Sequence, residues 1–158
     1  MNPIELLIRN FEEVRRRSLK LWDAIPEECL DWRPDGDAMG ALEMVRHVLE
    51  GEHLYHVIIK NGGNLGDYKS PWGSRPLVIS VREELDFSKP YRSDFMDQLL
   101  SYKPEDLTTL QIIRSEKQQP PRMLGDYLNR ILYHEVVHTG QMLSYLRTFR
   151  APMPNIWD

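Results

Sequence analysis

Apolar residues recur at intervals of three and four along most of this chain, and no sustained run alternates at two. That period belongs to helices with one buried stripe, so the chain must fold by packing helix on helix. The first stretch is the clearest. Asn2 can cap it and Pro3 suits its first turn. Ile4, Leu7, Ile8, Phe11, Val14, Ser18, Leu21, Trp22 and Ile25 form the stripe, and Pro26 ends it. A loop rich in turn formers follows, EECLDWRPDGDAMG, in which Trp32 and Pro34 are expected to anchor by packing. A second helix is expected from about Ala38 to Lys60. It is apolar over much of its circumference, which suits a central place in a bundle.

The middle of the chain is less regular. Asn61 to Pro76, NGGNLGDYKSPWGSRP, has the composition of a long loop. LVISVREEL fits strand or helix, Tyr91 to Lys103 is helical by period, and TTLQIIR fits an extended segment. The last helix is expected from near Pro121 to about Phe149, with Pro152 and Pro154 preventing its continuation. The expectation is an all-α single domain over residues 1–158: an antiparallel four-helix bundle with a long irregular central region.

The net charge of −4 leaves no broad electrostatic footprint for nucleic acid. No apolar run approaches the roughly 18 residues of a membrane span. The start, MNPIELLIRNFEEVRRR, lacks the layout of a signal peptide because its charges follow its apolar residues. Cys29 stands alone, excluding an intrachain disulfide, and reads as a small buried hydrophobe. These features predict a cytoplasmic protein; a small-molecule substrate is expected on the separate ground of the candidate site.

The last helix carries His134-Glu135-Val136-Val137-His138, a literal H-E-x-x-H. On a helix that pattern marks zinc metalloproteases. At 100° per residue, His134 and His138 share a sector with Tyr127, Ile131, Gln141, Met142, Tyr145 and Phe149. Two imidazoles one turn apart on that face can share a metal ion, whereas without one both rings need buried hydrogen-bond partners. A catalytic site of this kind takes three protein ligands and keeps one position open. The residues after His138 contain no histidine, and their only acid is Asp158. The longer H-E-x-x-H-x-x-G-x-x-H pattern also fails, because Gly140 falls two residues after His138. The third ligand must therefore come from upstream, where His47, His53 and His56 lie on the second helix. His47 shares a face with Gly40, Met44, Gly51, Leu54 and Ile58 and is the best candidate. His53 lies toward Arg46 and Lys60 and reads as a surface residue, and His56 reads as a packing residue.

One histidine on the second helix and H-x-x-x-H on the last resembles the DinB-like, or YfiT-like, family of metal-binding four-helix bundles. LDWRPDGDAMGALEMVRHVLEGEHLY resembles that family's Trp-x-Pro loop, helix start and histidine-containing turn. YHEVVHTGQMLSYLR with its proline-containing tail resembles the family's H-x-x-x-H-x-G-Q ending. The likeness covers about Leu30 to Tyr55 and Leu124 to Pro154. It implies one divalent metal ion, often nickel or zinc, on His47, His134 and His138, and a homodimer. It also implies a low-molecular-weight thiol as cosubstrate of a transferase or isomerase in some members.

Neighbouring residues leave roles open. Glu135 sits about 100° from His134, at the edge of the apolar sector, where it can act as a base, orient a ligand or pair across a helix interface. Gln141 faces the histidines and can donate a hydrogen bond to the site or to another helix. Arg15 falls within the first helix's apolar stripe. Such an arginine lays its stem on the core with its head in water, or guides an anionic substrate. Tyr127 and Tyr145 flank the histidines and read as core. Three functions remain: a metal-dependent transferase using a thiol, a metal-dependent hydrolase with Glu135 as base, and a binding or sensory module stabilised by metal.

Overall fold

A computed structural model describes residues 1–76 and 80–157. Leu77, Val78 and Ile79, part of the segment that fits strand or helix, lie outside the described residues, as does Asp158. Four long helices form the bundle: α1 (Pro3–Asp23), α2 (Ala41–Lys60), α3 (Val81–Ser101) and, after a short α4 (Asp106–Thr109), α5 (Leu124–Phe149). A two-residue hairpin pairs β1 (Gln111–Ile112) with β2 (Arg122–Met123) between α4 and α5.

The helix ends follow local chemistry. Asn2 Oδ1 accepts from the Ile4 and Glu5 amides at 2.9 and 3.0 Å, while Glu5 Oε2 accepts from the Asn2 amide at 2.9 Å. α2 starts later than its pattern suggests, because Asp35 Oδ1 holds the Asp37 and Ala38 amides in a turn at 3.0 Å. α5 starts at Leu124 because Arg122 and Met123 pair with β1 instead. α3 begins ten residues before Tyr91 and runs through Pro90. Proline is costly inside a helix, so its presence hides the earlier turns from a reading by period. Of TTLQIIR, only Gln111 and Ile112 are strand, and the two threonines close α4.

Around the bundle, α1 neighbours α5 and α3, and α2 also neighbours α5 and α3. Side-chain pairs give the directions. Phe11 and Leu7 share one core cluster with Leu124 to Leu132, and Leu21 and Trp22 share the other with Met142 to Leu146, so α1 and α5 run parallel. Arg46 pairs with Glu84, and His56 packs on Phe95, so α2 and α3 also run parallel. The α1/α3 and α2/α5 neighbours are antiparallel, as shown by Phe11 on Phe95 and Tyr145 bonded to the Met39 carbonyl. Parallel neighbours need a connection as long as the bundle, which is why the chain between α2 and α3 is so extended.

Trp32 packs edge-on against Tyr145 and Phe149 at 5.2 and 4.6 Å, holding the first loop to α5. Pro34 is exposed, and Cys29 is half-buried against the core rather than inside it. No described helix is long and apolar enough to cross a membrane.

The two apolar clusters leave a polar layer between them. Arg15, on α1, is only 8% exposed, and Glu135, on α5, only 4%. Arg15 Nε and Nη2 grip Glu135 at 2.8 and 3.0 Å, and Nη2 reaches Glu52 of α2 at 3.3 Å. Arg92 of α3 pairs with the same Glu52 and donates to the Phe11 carbonyl at 3.0 Å. All four long helices thus meet in one buried ion network.

Candidate metal centre

His47 on α2 and His134 and His138 on α5 converge, with one ligand nitrogen from each within 4.8 Å of the others. Their ring centroids lie 4.6–4.8 Å apart. His47 Nε2 and His134 Nε2 are 2.9 Å apart. Imidazole nitrogens around one ion, each at about 2.0–2.1 Å from it, stand about 3 Å from one another, so this spacing fits a shared metal. His138 Nδ1 lies 2.7 Å from Gln141 Oε1. With the amide oxygen accepting, Nδ1 carries the proton and Nε2 keeps its lone pair for an ion, the usual outer support of a ligating histidine. Burial, together with repulsion from His138 and His47, lowers the His134 pKa to about 4. Burial also lowers that of His138, against the pull of Gln141. Both rings are therefore neutral at neutral pH, the form that binds metal.

The histidines do not point into the core. His47 is exposed and the other two are half-buried, so they line a surface groove between α2 and α5. The core takes Glu135 instead, 100° further round the helix. Burial alone would raise the Glu135 pKa. The Arg15 guanidinium overcomes this and holds it below the ordinary carboxylate value. The two carboxylates likewise keep Arg15 cationic despite its burial. Arg15 therefore does not extend its head into water. It forms a buried pair with Glu135 behind the histidines and also reaches Glu52.

His53 and His56 stay apart from the cluster. His53 is half-buried rather than on the surface, its ring 4.5 Å from that of Tyr91 and 6.0 Å from that of Trp72, because the loop after α2 folds over it. His56 packs on Phe95 in the core. Tyr127 and Tyr145 are buried, the latter donating to the Met39 carbonyl at 3.0 Å.

A family model described as the DinB superfamily matches residues 10–142. The chain belongs to the DinB superfamily. Two solved structures share its fold: a DinB-like protein from Bacillus subtilis and another from Bacillus cereus, each 19% identical with a TM-score of 0.71. The first match covers 95% of both chains and the second 97% of both. No curated protein matches the sequence.

Two features of this DinB superfamily member escape a reading by histidines alone. Gly51 lies against the His134 ring, where an added Cβ would fall 2.8 Å from Cε1 and 3.3 Å from Nδ1. A lone glycine within a helix is the sequence signal for such a close approach. By propensity alone Gly51→Ala should stabilise α2 by about 1 kcal/mol. The expected result is the reverse for metal: affinity falls roughly 10–100-fold as His134 is displaced, the scale seen when a ligand loses its outer support. Isothermal titration with zinc checks this, and unchanged affinity would contradict the close approach. The second feature is a cleft beside His134 lined by Tyr55, Arg130, Tyr133 and Val137. Arg130 lies one turn before His134, so its signal is the four-residue spacing of Arg130, His134 and His138.

Proposed function

We propose that this DinB superfamily member holds one divalent ion, nickel or zinc, on His47, His134 and His138, and that the site serves a transferase using a low-molecular-weight thiol. One observation carries the choice of nucleophile. The carboxylate of the H-E-x-x-H motif is turned into a buried pair with Arg15, away from solvent. A hydrolase of the H-E-x-x-H kind uses that carboxylate as the base on its metal-bound water. A thiol does not, because a bound ion supplies the charge that favours its deprotonation. Gln141 fixes the tautomer of His138, and Gly51 leaves room for His134. A purely structural ion is usually closed by four protein ligands, whereas this cluster of described residues contains three, which favours a working site over a stabilising one.

The test measures consumption of cysteine or glutathione with monobromobimane by metal-loaded protein, once circular dichroism has shown that each variant folds. Glu135→Gln is expected to retain the rate to within roughly tenfold, about 1.4 kcal/mol of barrier. His134→Ala should abolish it, and casein should remain uncut. Casein hydrolysis requiring both the metal and Glu135 would overturn the reading in favour of a protease.

The homodimer belongs to the same proposal. Its support is apolar surface on the α1–α5 side, where Val136 is 49% and Trp157 69% exposed beside a recess of Val14, Leu143 and Ile156. Light scattering at micromolar concentration should give about twice the chain mass of 18.7 kDa, and a monomer would reject it.

A further inference from the structure

The cleft beside His134 has a volume of about 310 Å3 and opens to solvent. Three of its walls are apolar or aromatic: Tyr55 of α2, and Tyr133 and Val137 of α5. Tyr55 stands 6.0 Å from the His134 ring and 5.8 Å from that of Tyr127, which fixes its place between cleft and core. Tyr133 and Val137 are 66% and 59% exposed, a large apolar area to leave in water beside a polar site.

The remaining wall is Arg130. Its guanidinium lies 5.8 Å from the centre of the Tyr127 ring, and its side chain is half-buried. Among the described residues it has no carboxylate within ion-pairing distance. Most of this chain's other partly buried arginines differ, although Arg75, over the Phe87 ring and away from the histidines, also lacks an ion pair among the described residues. Arg15, Arg46 and Arg92 each grip a carboxylate, and Arg114 pairs with Glu116. Taking a guanidinium partly out of water without a counter-charge is costly unless an anion completes it. Arg130 is also four residues, about 6 Å of helix rise, from His134.

We propose that Arg130 is a substrate-binding residue. In this assignment the cleft takes a small molecule with an apolar body and an oxyanion, a carboxylate or phosphate, which Arg130 holds one turn from the three histidines. The body lies on Tyr55, Tyr133 and Val137. This deepens the metal-site reading and rests on it, because His134 forms both the end of the cleft and part of the cluster. It also moves the anion-recognising role from Arg15, whose charge is spent on Glu52 and Glu135, to Arg130.

The test compares 3-mercaptopropionate with the neutral 2-mercaptoethanol on protein loaded with cobalt, whose visible spectrum reports ligand binding. The carboxylate thiol should bind at least tenfold more tightly than the neutral one. Arg130→Gln should abolish that preference while leaving the neutral thiol unchanged, and Arg130→Lys should keep part of it. Acetate and inorganic phosphate as competitors then tell which oxyanion fits better. A loaded protein without charge preference, or a preference that survives Arg130→Gln, overturns the subsite. A protein that takes up no cobalt refutes the metal reading instead. The subsite is then decided on metal-free protein: acetate or phosphate shifts the Arg130 Nε–H resonance if it is correct and leaves it unmoved if it is not.

Discussion

Arg15→Met should lower the stability of this protein by about 3–5 kcal/mol, the cost of removing one partner from a buried ion pair. Methionine keeps much of the stem's volume, so the loss comes from charge. Glu135 would be left buried with no cation gripping it, and Glu52 would keep only Arg92. Urea unfolding should show the drop, and the thermal midpoint should fall by roughly 10 °C for a chain of this length. Adding Glu135→Leu should recover part of the loss, because a buried pair replaced on both sides by apolar groups is often neutral. The effect also has a pH sign. In the native protein Glu135 titrates below its ordinary value, so its contribution is present at neutral pH and is lost as acid protonates it. Without Arg15, burial would dominate and raise the Glu135 pKa, so the variant's penalty is relieved in acid. The stability gap between the two proteins should therefore begin to narrow at the variant's raised Glu135 pKa and go on narrowing below about 4.3, the unfolded value for glutamate. A variant with the native urea midpoint at pH 7 would refute the account of the polar layer.

The bundle was legible because each long helix repeats its apolar residues at three and four. The histidine pair was legible for the same reason, since residues four apart share a face. His47 emerged by elimination, because the chain after His138 offers no further histidine. What was hidden depended on distant partners. The buried head of Arg15 is explained only by Glu52 and Glu135, 37 and 120 positions away. A helical wheel places Arg15 in the stripe but cannot supply its counter-charges. The wheel also centred the core of α5 too near His134, whereas Glu135 occupies it and the histidines face a groove. His53 looked exposed because the residues that cover it, Trp72 and Tyr91, belong to the following loop and to α3. The parallel course of α2 and α3 leaves no periodic signal. Its trace is the length of the loop between them.

The H-E-x-x-H letters acquire a different meaning on this fold. Both histidines face the groove, and the glutamate between them faces the core and locks α5 to α1. The same five residues that give a protease two ligands and a base here supply two candidate ligands and a structural ion pair.

We propose that His47, His134 and His138 together hold one divalent ion. The His47 and His134 nitrogens stand 2.9 Å apart and all three lie within 4.8 Å, and no two of them suffice for a site that normally takes three protein ligands. Each alanine substitution should therefore lower affinity by more than the roughly 10–100-fold that follows loss of an outer partner. His53→Ala should leave it unchanged, since that ring packs against Trp72 and Tyr91 instead. The direct measurement is metal content per chain by mass spectrometry, on protein purified without a histidine tag or nickel resin, because the resin could itself load the site. About one nickel or zinc ion per chain is expected in the native protein and in His53→Ala, and none in His47→Ala, His134→Ala or His138→Ala. Native metal content in the His47→Ala variant would contradict the proposal.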